Sequence, residues 1–221
     1  MKILEIELFT SDLRSAEMFY IEKLGLPLIS KTKEHFSVQA GWSTITFKRA
    51  KGKIEPQYHF AFNIPKNQLQ EAFAWMSQRA TIIPVDQNTV IADFDNWNAK
   101  SFYFYDPVGN ILECLTRFDL DNESSRDFNS GSFLCVSEIA VVTDNVTRLA
   151  DTIHCENGLD FFSKQPRHEN FTVMGDDRGL LIISEQDRHW YPTQQLAKRF
   201  PVSARVSDFQ RVYDLTFNYP S

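Results

Sequence analysis

The chain has 221 residues, 43% of them hydrophobic and 24% charged, and carries a formal net charge of −6 with a pI near 5.4. That composition is ordinary for a globular protein of one large or two small domains. The acidic balance argues against nucleic acid as a partner, because nucleic acid calls for a basic face. No apolar run approaches the ~20 residues of a membrane span and no long apolar leader opens the chain, so no membrane association is expected. Three cysteines, Cys114, Cys135 and Cys155, lack metal-type spacing and are expected to be reduced, buried thiols in a cytoplasmic protein. Nineteen Phe residues point first to a well-filled core and only second to a ligand cleft.

Residues 3–9 alternate as a strand, with Leu4, Ile6 and Leu8 expected on one face and Ile3, Glu5, Glu7 and Phe9 on the other. Thr10, Ser11 and Asp12 are helix-capping types. A helix follows, carrying Leu13, Ala16, Phe19, Tyr20 and Leu24 at helical spacing and stopping at Gly25. Residues 26–30, 35–40 and 43–49 read as three strands, which completes a β-α-β-β-β unit. After a polar connection at 50–56 the pattern recurs. A strand over 58–64 is followed by a helix with Leu69, Ala72, Phe73 and Met76 on its apolar face, then by short strands near 81–84 and 89–93 and the pair 101–105 and 110–115.

Residues 118–131 are polar and read as a linker. Beyond them Glu138-Ile-Ala-Val-Val-Thr-Asp-Asn-Val146 aligns with Glu5-Ile-Glu-Leu-Phe-Thr-Ser-Asp-Leu13 at a constant offset of 133, and the same offset places Gly158-Leu159 on Gly25-Leu26. Residues 133–185 are thus a third copy of the unit, an internal repeat that governs the architecture. Residues 186–200 are irregular, with room for a short helix. A hairpin over 202–206 and 211–217, turning at Ser207–Gln210, is the remnant of a fourth unit. The expected fold is α+β, with a complete domain of two paired units at 1–117, the linker at 118–131, and the third unit plus remnant at 132–221.

The stretch Ser101–Leu115 stands apart. Asp106, Pro107, Gly109 and Asn110 supply turn chemistry between an aromatic strand and a second strand, Ile-Leu-Glu-Cys-Leu. Glu113 is therefore a carboxylate inside a hydrophobic strand. An unpartnered buried charge is costly, so it must face a wet cleft or meet a cation.

Together, Asp12-Leu-Arg-Ser-Ala-Glu-Met-Phe-Tyr20 with Leu24-Gly25-Leu26, His59-Phe-Ala-Phe-Asn-Ile64, and Asp106-Pro-Val-Gly-Asn-Ile-Leu-Glu113 resemble the vicinal oxygen chelate superfamily of glyoxalase I, extradiol dioxygenases and bleomycin-resistance proteins. The resemblance covers nearly all of 1–116 and, more loosely, 133–185. It implies paired units curling into an open barrel, with a divalent metal at its floor that chelates two oxygens of a small-molecule substrate. Carried over by position, the implied metal ligands are Glu5, His59 and Glu113, with a poor fourth candidate at Thr46. This set suits Fe, Mn, Ni or Zn. Glu5 or Glu7 would shuttle a proton, and Phe47, Tyr103 and Tyr105 would offer aromatic walls to the substrate.

Each of these residues also has a plainer role. Glu113 could reach solvent or Lys48, His59 could be a core histidine, and Glu5 and Glu7 on one face would repel unless a cation such as Lys48 relieved them. Glu138 matches Glu5, but no counterpart of His59 or Glu113 joins it in its own unit, so it is expected to be structural. His35, His168 and His189 are expected at the surface, and the cluster Arg188-His189-Trp190-Tyr191-Pro192 is expected to pack the irregular segment onto the barrel, ahead of the alternative that it closes over a cleft. The implied functions are a metal-dependent glyoxalase- or dioxygenase-like enzyme, a metal-free drug-sequestering binder, or a degenerate scaffold. Unpaired units in such proteins often find partners in a second chain, which leaves room for a homodimer.

Overall fold

Alternation, capping and turn chemistry produce fourteen strands and three α-helices among the residues that the computed structural model describes, 1–208 and 211–218. The first unit is β1 (Lys2–Thr10), α1 (Leu13–Glu17, prolonged by a wider helical turn over Met18–Lys23), β2 (Leu28–Lys31), β3 (His35–Ala40) and β4 (Ser43–Arg49). Asp12 caps α1 by accepting the Ser15 N–H at 3.0 Å. The second unit is β5 (His59–Asn63), α2 (Leu69–Ser77), β6 (Thr81–Ile83), β7 (Ala92–Phe94), β8 (Ala99–Tyr105) and β9 (Ile111–Arg117). The third is β10 (Cys135–Thr143), α3 (Val146–Asn157), β11 (Phe171–Asp176) and β12 (Gly179–Glu185), and the remnant is β13 (Val202–Asp208) with β14 (Arg211–Phe217). The expected turn at Ser207–Gln210 falls partly on residues 209–210, outside the described residues.

Within each unit the first strand lies parallel to the last: β1 with β4, β5 with β9, and β10 with β12. Between units the pairing is antiparallel, and it does not follow chain order. β5 pairs with β10, so units two and three share an eight-stranded sheet ordered β11-β12-β10-β5-β9-β8-β6, with β7 beside β8. β1 pairs with β13, so unit one shares a six-stranded sheet with the remnant, ordered β14-β13-β1-β4-β3-β2. The expected pairing of units one and two inside 1–117 is thus replaced by a crossed one.

The repeat is reproduced down to an irregularity. Register shifts between Ile3 and Glu5 on β1, and between Val136 and Glu138 on β10, at the same offset of 133. A bulge inserts one residue and swaps faces beyond it. Ile3 therefore joins Ile6 and Leu8 in the core, while Leu4, expected with them, is only half-buried. On β10 the same shift sends Val136, Ile139 and Val141 into the core and leaves Glu138 on the opposite face. Ser43 ties the two bulges together, donating to the Ile3 carbonyl at 2.7 Å and accepting the Val136 N–H at 2.9 Å.

One continuous core collects Ile6, Leu8 and Phe47 from the smaller sheet and Phe60, Phe62 and Leu112 from the larger. The segment expected as a linker is laid down rather than loose. The Gln68 side chain donates to the Arg126 carbonyl, and Phe128 packs edge-on against Trp75. Gly41, at φ +55°, lets the chain pass so close to Leu134 that a Cβ there would lie 1.7 Å from its carbonyl oxygen. Cys114 and Cys135 are buried, but Cys155 is exposed on α3. Among the described residues no helix is long and apolar enough to cross a membrane.

The crossed pairing makes a prediction. A fragment ending at residue 117 leaves β1 without β13 and β5 without β10. It should show no cooperative urea transition and no near-ultraviolet circular dichroism, whereas the whole chain should show both. Cooperative unfolding of the fragment would sink the claim that the units depend on each other crosswise.

Candidate active site

The β5–β10 and β5–β9 ladders place five residues side by side across the larger sheet. Tyr103 on β8 lies opposite Glu113 on β9, Glu113 opposite Ala61 on β5, Ala61 opposite Glu138 on β10, and Glu138 opposite Leu180 on β12. Directly paired residues share a face, so Glu113 and Glu138 point the same way with only the methyl of Ala61 between them. His59, two residues before Ala61, is on that face too. The ligand-type atoms of His59, Glu113 and Glu138 all lie within 4.8 Å of one another, and all three residues are buried.

Burial and hydrogen bonding set the protonation of this group. His59 Nδ1 lies 3.1 Å from the Ile111 carbonyl oxygen, to which only an N–H can donate, so Nε2 keeps its lone pair. That Nε2 faces Glu113 Oε2 at 3.7 Å, too far for a hydrogen bond. Desolvation lowers the imidazole to about 4. Burial, and then the neighbouring charge of Glu138, push Glu113 up to about 8. Burial raises Glu138 as well, opposed by Arg117. The Arg117 side chain is fully buried and donates through Nη2 to Glu138 Oε1 at 2.5 Å, while its Nη1 is 3.5 Å from Asp177. Arg117 thus opposes the burial that raises Glu138, while Glu113 holds a proton at neutral pH.

The donor chemistry fits a divalent metal. A neutral imidazole whose Nδ1–H is held by a carbonyl, with Nε2 aimed at carboxylates, is the usual preparation of a metal-ligating histidine. One nitrogen and two carboxylates suit Mn, Fe, Ni or Zn. Arg117 uses one oxygen of Glu138 and leaves the other.

Above this row is a cavity of about 520 Å³, lined by the triad and by Phe94, Trp97, Tyr103, Phe171, Trp190 and Tyr191. Residues 186–200 roof it. They form no helix, but an irregular loop closed by bonds from the Trp190 N–H to the Gln195 carbonyl and from the Ala197 N–H to the Arg188 carbonyl. Trp190 packs on the His59 ring at 5.4 Å between centroids, and Tyr191 packs edge-on to Tyr103 at 5.8 Å. Arg188, Trp190 and Tyr191 of the cluster 188–192 therefore line a cavity, the alternative to the plain packing role expected for it.

The implied ligands are brought together only in part. His59 and Glu113 meet, and Tyr103 lines the cavity. Glu5 does not join them: it lies on the six-stranded sheet, partly exposed, 3.9 Å from Arg205 Nη1. Glu7 pairs with Lys48 at 2.5 Å on the same sheet, the relief its position demanded. Phe47 is stacked on Tyr20 at 4.5 Å in the main core, and Thr46 is engaged with Ser37 at 2.8 Å. Tyr105 packs against the cavity-lining cluster without facing the cavity itself. Glu138, expected to be structural, takes the place assigned to Glu5. The signal for it was the offset of 133, which made Glu138 the equivalent of Glu5 in a third unit. Unit pairing decided which of the two acids met His59.

No family model and no curated protein matches this chain. Solved structures do. A candidate dioxygenase from Bacillus subtilis subsp. subtilis str. 168 superposes with a TM-score of 0.58 at 16% identity, over 83% of this chain and 63% of that one. This chain therefore spans less than two thirds of that protein's length. Half-chain likenesses include a lactoylglutathione lyase from Agrobacterium tumefaciens, with 22% identity and a TM-score of 0.43 over 52% of this chain and 92% of the other. A glyoxalase/bleomycin resistance protein/dioxygenase from Alicyclobacillus acidocaldarius gives 18% and 0.43 over 53% and 92%. The fold is shared with that candidate dioxygenase: α+β, with repeated β-α-β-β-β units in open curled sheets, as the sequence pattern implied.

The buried acid has a measurable consequence. Glu113 keeps its proton to about pH 8 when folded but releases it near 4.5 when unfolded, so stability falls as pH rises between those values. His59 acts oppositely between about 4 and 6.5, where the unfolded chain binds the extra proton. The two effects oppose each other between about 4.5 and 6.5, and from 6.5 to 8 the raised acids, Glu113 foremost with Glu138 coupled to it, are left to lower stability. In chelator, urea denaturation should show stability falling there with a slope approaching one proton, roughly 1.4 kcal/mol per pH unit. Glu113→Gln should flatten it; an unchanged slope would exclude Glu113 as its source.

Proposed function

We propose that the chain binds a divalent transition metal through His59, Glu113 and Glu138 and acts, as a lyase- or dioxygenase-like enzyme, on a small oxygenated substrate admitted to the aromatic cavity. The observation that carries this is the convergence of an unprotonated imidazole nitrogen and two carboxylates in a buried, roofed cavity. A bound ion would act there as a Lewis acid toward neighbouring oxygens of the substrate.

The chain's own residues have separable parts. The Ile111 carbonyl fixes the His59 tautomer. Arg117 supplies Glu138 with a countercharge that favours its ionised form. Glu113 must give up a proton as the metal enters, and without the metal it keeps that proton. Trp190, buried against the His59 ring, shields that imidazole from solvent, which strengthens the electrostatic contacts beside it.

One observation favours a second reading, ligand binding without metal. Arg117 with Glu138 and a protonated Glu113 already make a nearly neutral floor. Metal content and thermal shift separate the two. Under the metal reading, Mn(II) or Ni(II) at a hundredfold over its Kd stabilises the fold by about 2.7 kcal/mol and raises Tm. Near pH 7 loading releases about one proton, and His59→Ala abolishes both effects. A wild-type chain that carries no metal and whose Tm is indifferent to added ions would support the metal-free binder.

A further inference from the structure

The cavity lining includes a cation that the metal reading leaves idle. Arg188 sits on the roof loop, half-buried, with its guanidinium carbon 4.6 Å from the Phe171 ring centre. Its backbone is pinned on both sides: the Asp187 N–H donates to the Ala197 carbonyl at 2.8 Å, and the Arg188 carbonyl accepts the Ala197 N–H at 2.8 Å. Its side chain has no ion pair or hydrogen bond among the described residues. The other cations near the cavity are accounted for. Arg117 pairs with Glu138 and Asp177, and Lys100 pairs with Asp93 at 2.6 Å beside Asp95 at the mouth. Glu113 and Glu138 are at the floor.

A guanidinium offers five N–H donors in a planar fork that matches an oxyanion, and none of Arg188's is used among the described residues. Placing it half out of water against an aromatic face costs hydration that an incoming anion would restore in kind. The cavity walls are aromatic on most sides, with Phe94 and Tyr191 6.2 Å apart between ring centres and Phe94 and Trp97 5.8 Å apart. Such walls select a flat, conjugated body. The floor's cation, Arg117, is already engaged by Glu138 and Asp177, so in the metal-free chain an anion's place is at the roof.

We infer that Arg188 is the specificity-determining anchor for a carboxylate on the ligand, and that the cavity takes planar aromatic acids. This rests on the reading above that the cavity is the ligand site, but not on metal occupancy.

The test is calorimetry in chelator with a matched pair of probes, 2-naphthoate and its uncharged counterpart 2-naphthamide. Wild-type chain should bind the acid about tenfold or more tightly than the amide, the value of a charge-assisted hydrogen bond. Arg188→Gln should erase that preference while leaving amide affinity within about twofold, and Arg188→Lys should keep part of it; a mere packing role for Arg188 would weaken acid and amide alike. His59→Ala should retain the preference. Two results overturn the anchor: wild-type chain that binds the acid no better than the amide, and a preference that survives in Arg188→Gln. Separately, a wild-type chain without an Mn(II)-induced thermal shift whose acid preference still depends on Arg188 would defeat the metal reading and leave the anchor standing.

Discussion

The antiparallel ladder between β5 and β10 is the constraint on which the site depends. It sets Ala61 opposite Glu138 on one side while the parallel β5–β9 ladder sets the same Ala61 opposite Glu113 on the other. Two carboxylates are thereby brought to one buried face, with the smallest chiral side chain between them. A slip of one residue in either ladder would send one acid into the main core instead. The bulge at Val136/Glu138 fixes that choice on β10, and Ser43 fixes the bulge by bonding to Val136 and, across the core, to Ile3.

Bringing two acids together out of water creates a charge problem, and the surroundings answer it in three ways. Arg117 supplies a fully buried countercharge to Glu138. Glu113 takes up a proton, and His59 stays neutral because nothing pays for its charge in that setting. The result is poised rather than finished. The floor is tolerable as it stands, yet a cation entering it would replace a proton on Glu113 and meet a prepared lone pair on His59. The roof has the complementary character, with aromatic rings and a guanidinium that has no ion pair among the described residues.

The Asp106–Asn110 turn, so prominent in the sequence, has a structural task. Asp106 accepts the Tyr20 hydroxyl at 2.7 Å and the Asn110 N–H at 2.8 Å, and Asn110 in turn accepts the Tyr58 N–H at 2.8 Å. That network locks α1's helical extension in the first unit to the start of β5 and β9 in the second. It holds the strands that carry His59 and Glu113 in step without touching the chemistry.

The repeat, the strand and helix positions, the α+β class and the conspicuous Glu113 and His59 were legible in the chain because they arise from local periodicity, capping and turn chemistry, which act between residues close in sequence. The equivalence of Glu5 and Glu138 was legible too, as an alignment at a fixed offset. Which of the two would stand beside His59 was not, since either unit one or unit three could present a first strand to β5 with the same alternation. Tertiary structure alone decided it, by pairing β5 with β10 and giving β1 to β13. Arg117 was hidden for the same reason, and the cluster 188–192 stood out in the chain without showing whether it closed a cleft or only packed: such roles depend on contacts spanning tens of residues, and those follow from how whole sheets join rather than from any local pattern.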